Sequence, residues 1–127
     1  MKRCRGEDGL TATQLAVIMP AVLFWIMLIV QYGLWFHAKQ VSAAAAAEAV
    51  DAAQVPGGTA ADGERAAREF LALSGNLTEV TIVVTPTADS VTVRVGGQAP
   101  RLVPGISWRV ASVAESSLER FVPEPQR

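Results

Sequence analysis

The chain has 127 residues, a net charge of −1, half of its residues hydrophobic, a single cysteine and a single histidine. No basic excess calls for a nucleic-acid partner, and no acidic run calls for a charge-driven one. One cysteine, Cys4, excludes an internal disulfide, so any small external domain must be held by packing or by partners.

Residues 1–9, MKRCRGEDG, form a short charged leader with Lys2, Arg3 and Arg5. Residues 15–36 then read LAVIMPAVLFWIMLIVQYGLWF, without Asp, Glu, Lys, Arg or His. As a helix this stretch spans roughly 33 Å, enough for a hydrocarbon core of about 30 Å. A small chain rarely buries a helix that is apolar on every face, whereas lipid favours one. The expected element is a transmembrane helix over residues 15–36. Gln31, Tyr32 and Trp35 mark its far end at headgroup level. Pro20 removes one backbone hydrogen bond and is the expected site of a bend. The leader carries three basic residues and the other flank only Lys39 before Arg65. The N-terminus is therefore expected in the cytoplasm and the C-terminal domain outside, extracellular or periplasmic.

Residues 9–20, GLTATQLAVIMP, carry a resemblance. A basic leader, Gly9, small and hydroxyl residues, a polar residue five positions later, an apolar run ending in Pro20 and an Ala-rich continuation occur in that order. This resembles the N-terminus of type IV pilin-like proteins, and more narrowly the TadE-like pseudopilins of tight-adherence (Flp) pilus systems. The resemblance covers residues 5–55. It implies a structural or assembly subunit of a pilus or related secretion system, acting by helix packing, with no catalysis and no cofactor. It implies cleavage by a prepilin peptidase between Gly9 and Leu10, which would remove Cys4. The partners it implies are that peptidase, other TadE-like or TadG-like subunits, a platform protein and, through the platform, a secretion ATPase. Gln14 departs from the pattern, because the family usually has Glu there, thought to pair with a neighbour's free amine. Gln can hydrogen-bond but cannot neutralise an ammonium. Gln14 therefore reads either as a subunit that enters the assembly differently or as a polar residue near the headgroups.

Residues 37–54, HAKQVSAAAAAEAVDAAQ, extend the same helix, because Ala has the highest helix propensity. The helix is expected over residues 10–54. Ala43 to Ala47 offer a smooth surface that suits close helix packing more than a solvated spacer. His37 has no second His or Cys with which to hold a metal.

Val55-Pro56-Gly57-Gly58 breaks the chain and opens a small external α+β domain over residues 55–127. Thr59 and Asp62 have capping-box spacing, predicting a helix over residues 60–73 with Ala66, Ala67, Phe70, Leu71 and Leu73 on its apolar face. Alternation predicts an antiparallel sheet of three strands, at residues 78–85, 90–95 and 106–114. The short helix is expected to cover the sheet. Ile106, Trp108 and Val110 share a face, with Trp108 reading as a core residue rather than a contact residue. Residues 115–127 are expected to fray.

No catalytic constellation, metal spacing or phosphate loop stands out, and no small-molecule substrate is implied. Glu64, Glu69, Glu115 and Glu119 read as solvated carboxylates. Two other readings stay open. A membrane-tethered binding module would keep its leader as an uncleaved signal anchor. A secreted domain would be released after Ala43 by a signal peptidase.

Overall fold

The computed structural model describes residues 7–75 and 77–117, the side chains of residues 7–10 excepted. The leader as far as Gly6, with Cys4, lies outside the described residues, as do Asn76 and residues 118–127.

Five elements follow in order: α1 (Glu7–Gln54), α2 (Ala60–Ser74), β1 (Thr78–Pro86), β2 (Ser90–Gln98) and β3 (Arg109–Ser117). The architecture is α+β, with a long N-terminal apolar helix, a short helix and a three-stranded antiparallel sheet in the order β1-β2-β3. Helix α1 begins at Glu7, three residues before the expected start, and continues through Pro20 without a break. Proline has no N–H, so the Ala16 carbonyl cannot accept its usual helical bond from position 20.

Helix α1 ends where Gly58 donates its N–H to the Val55 carbonyl at 2.6 Å, and Gly57 supplies a positive φ of 85° for the turn. Helix α2 starts with the expected capping box. The Asp62 N–H donates to the Thr59 hydroxyl at 3.2 Å, and the Thr59 N–H donates to the Asp62 carboxylate at 3.0 Å. Two backbone donors of the first turn are thereby satisfied.

The sheet is not covered mainly by α2, as its sequence suggests. Helix α1 lies across β2 and β3, with α2 alongside it and over β1. The inner face presents Ile82 and Val84, then Val91, Val93 and Val95, then Val110, Ser112, Ala114 and Ser116. Opposite them, Val41, Ala45, Ala46, Ala49, Val50 and Ala53 are buried on α1, and Ala67 and Leu71 on α2. The α1 positions recur at three and four residues, so one stripe of the helix enters the core.

Leu73 is 90% exposed, in contrast to the apolar face expected of α2. It lies about 200° around the helix from Leu71, on the far side from the Gly63, Ala67 and Leu71 seam. The strands also run further than expected. β2 continues through Gly96 and Gly97 to Gln98, since both pair with β3. β3 starts at Arg109 and not at residue 106, because Pro104 and Gly105 (φ 91°) hold the preceding segment in a loop. Residues 115–117, expected to fray, pair with β2 as Glu115 with Thr92, Ser116 with Val91 and Ser117 with Ser90. Strand β1 carries a bulge between Thr78 and Thr81, where Glu79 adopts φ 53° and its carboxylate accepts a hydrogen bond from the Gln98 amide.

Candidate functional site: one helix in two environments

Residues 11–26 of α1 are exposed throughout, and only Met27 and Leu28 are half-buried before Gln31. Leu15, Val17, Ile18, Val22, Leu23, Phe24, Trp25, Ile26 and Ile29 are all exposed. Twenty helical residues span about 30 Å, the thickness of a hydrocarbon core. The helix is long and apolar enough to cross a membrane, and it lies near the N-terminus, as expected of a single-pass membrane protein. Gln14 and Pro20 both sit in this exposed part of α1. Gly9 and Leu10 lie in its first turns, so the bond between them is within the helical backbone, and the Leu10 side chain is outside the described residues.

From Gln31 onward the helix changes environment. Gln31 is completely buried, although it lies inside the apolar stretch. Its Nε2 donates to the Pro100 carbonyl at 3.1 Å, and its Oε1 accepts from the Leu102 N–H at 2.9 Å. Both ends of the amide are used, which makes burial of this polar group tolerable. One turn later, Trp35 Nε1 donates to the Arg109 carbonyl at 3.3 Å. Trp35 also packs against Tyr32 at 5.8 Å and Trp108 at 6.4 Å between ring centroids, and the Lys39 ammonium lies 5.6 Å from its ring.

Trp108 lies in the loop before β3 and packs with Trp35 and Leu77 against Ala38, Ala99 and Val110. Its Nε1 is buried with no hydrogen-bond partner among the described residues. The core reading of this residue therefore holds, at the cost of an unpaired donor.

Further along, Ser42 is buried and shares a 2.7 Å hydrogen bond with Ser112, while also donating to the Lys39 carbonyl at 2.8 Å. At the far end, the Ser116 hydroxyl donates to Gln54 Oε1 at 2.6 Å. β3 therefore runs alongside α1 in the same direction, with polar links near the start, middle and end of the covered segment. From Gln31 to Gln54 the domain covers one side of the helix over about 35 Å.

The alanine run divides between two faces. Ala45 and Ala46 are fully buried against the chain's own domain, whereas Ala43 and Ala47 point outward with Gln40, Glu48 and Asp51. The smooth surface expected for neighbouring helices is thus half used within the molecule. α2 approaches α1 through Gly63, where an added Cβ would lie 2.7 Å from the Ala49 carbonyl oxygen and 3.1 Å from the Ala53 Cβ. Nothing in local propensity marks Gly63, since a mid-helix glycine reads as a weakness. Its spacing to Ala67 and Leu71, at four and eight residues, is the signal that was available.

Among the described residues, Asp62 is the one group whose acidity is clearly displaced. Hydrogen bonds from the Thr59 side chain and backbone, with a lesser contribution from the nearby Arg65 guanidinium, hold its carboxyl below the ordinary value against an opposing effect of burial. It belongs to the capping box, at the end of the domain remote from the exposed apolar helix.

No curated protein and no solved structure matches the chain. Residues 9–51 match the family model described as TadE-like protein. That match spans the exposed apolar helix and most of the covered segment, and it stops before the break at residues 55–58. Residues 9–51 are thus similar to the TadE-like family, on a long helix whose second half is built into a small α+β domain.

Proposed function

We propose that the protein is a single-pass membrane subunit associated with a tight-adherence (Tad/Flp) pilus or a related secretion system, serving assembly through packing of its N-terminal helix. The observation that carries this reading is the largely exposed apolar helix of residues 11–30, within the segment that matches the TadE-like family. A helix whose apolar side chains are exposed on every face is suited to lipid and to other helices.

In this reading the leader is cytoplasmic and the domain is outside. A prepilin-type peptidase cuts between Gly9 and Leu10, and the new N-terminus leaves Gln14 five positions after the glycine. That cut requires the first turns of α1 to open, and a glycine there lowers the helix propensity. Partner subunits would contact residues 11–30 and the outward stripe of Ala43 and Ala47. The protein carries out no catalysis, and its domain acts as a rigid support for the helix.

The test is the mature N-terminus of the native protein, by intact mass and terminal peptide. A start at Leu10 supports prepilin-type processing. A start at Met1 or Lys2 rejects processing and leaves a tethered module with an uncleaved anchor. A start at Ala44 would remove the apolar helix and reject a membrane subunit altogether.

A further inference from the structure

We propose that the loop of residues 99–108 is seated on the membrane surface beside α1, with Leu102 and Ile106 dipping into the interfacial layer of the outer leaflet. This inference rests on the membrane reading of residues 11–30. It adds a second, non-helical contact with the same bilayer.

Gln31 sets the geometry. It lies next to the last residue of the exposed apolar run, and its amide holds the Pro100 carbonyl and the Leu102 N–H. The loop tip is therefore fixed at the level where the helix leaves lipid. Leu102 is 48% exposed, and Ile106, four residues on in the same loop, is 46% exposed. The surrounding helix surface is amphipathic and aromatic, with Tyr32 and Phe36 exposed. Aromatic rings of this kind suit the headgroup layer.

Irregular backbone near hydrocarbon needs its polar groups paired within the protein. Part of that requirement is met here: Gln31 satisfies one loop carbonyl and one loop N–H, and the Ala99 N–H donates to the Trp108 carbonyl at 2.9 Å. Arg101, exposed and adjacent to Leu102, is placed for lipid phosphates. The loop is tied through Pro100 and Leu102 to the residue next to the exposed apolar run, so the occupant that fits is the bilayer containing that helix.

The experiment uses the full chain with Cys4→Ser, carrying one nitroxide label at a time at Leu102→Cys, Ile106→Cys, Val22→Cys or Asp89→Cys. Each is reconstituted into phosphatidylethanolamine/phosphatidylglycerol nanodiscs. Collision with oxygen is compared with collision with a water-soluble nickel chelate. The expected result is an oxygen-to-nickel ratio at residues 102 and 106 several-fold above that at residue 89, in the turn at the far end of the sheet, and below that at residue 22. Aqueous values at both 102 and 106, with residue 22 in lipid, overturn the loop contact and leave the spanning helix intact. An aqueous value at residue 22 overturns the membrane reading and the loop contact with it. Exclusion of both reagents at 102 and 106, with dipolar broadening between labels, assigns the patch to a second copy and overturns the lipid contact.

Discussion

The side-chain amide of Gln31 and the carbonyl of Pro100, 69 residues apart in sequence, are joined by a 3.1 Å hydrogen bond within the buried part of the molecule. The same amide accepts from the Leu102 N–H, so one residue ties the apolar helix to the domain at their meeting point.

Replacing Gln31 should therefore cost stability out of proportion to its size. Gln31→Leu keeps the volume but leaves the Pro100 carbonyl and the Leu102 N–H without their partner, at about 1–3 kcal/mol for each group that stays buried. Thermal unfolding in detergent should show a clear drop. A more lipophilic helix with unchanged domain stability would show that the clasp contributes nothing.

At Gly63 two effects oppose each other. Helix propensity alone predicts that Gly63→Ala stabilises α2 by about 1 kcal/mol. The added Cβ would stand 2.7 Å from the Ala49 carbonyl oxygen, which belongs to a helix backbone and gives little. Overpacking of this kind costs about 1–3 kcal/mol, so destabilisation should win. Denaturant midpoints of Gly63→Ala and Gly63→Val would decide the sign, with the valine variant the lower.

Ser42 and Ser112 should behave as a coupled pair. Each single alanine variant removes the hydroxyl–hydroxyl bond and leaves the other serine only its bond to the Lys39 carbonyl, whereas the double variant removes both hydroxyls. The double variant should lose less stability than the two singles summed, by about 0.5 kcal/mol or more. Strict additivity in a double-mutant cycle would mean that their 2.7 Å contact carries no energy.

Acid should weaken the start of α2. The folded Asp62 carboxyl lies below its ordinary value of 3.8, so its contribution is present above that value and is lost as pH falls through the folded value. The difference in melting temperature between the native chain and Asp62→Asn should be constant near neutral pH and narrow below about pH 4. A difference that stays constant through this range would mean that the ionised form is not favoured by folding.

Local chemistry in the sequence determined much of this protein. An uncharged apolar run sets a membrane-length helix, alanines carry it onward, a Val-Pro-Gly-Gly break ends it, and Thr59 with Asp62 starts the next helix. Alternating valines mark β1 and β2, because side-chain period and backbone propensity act over a few residues. The TadE-like resemblance was legible in the same way, and the family model matches residues 9–51. Only the tertiary structure decided where the alanine stripe goes. Ala45 and Ala46 are as suited to a neighbouring helix as to the valines of β2, and nothing within their own helix distinguishes the two. Gln31 looked like a headgroup residue because its partners lie about 70 residues away, in a loop with no periodic pattern. Gly63 has no reason within its own helix, because its reason is a second backbone, that of Ala49. Such contacts depend on which surfaces meet once helix and sheet have formed, and that is settled by shape and burial across the whole chain.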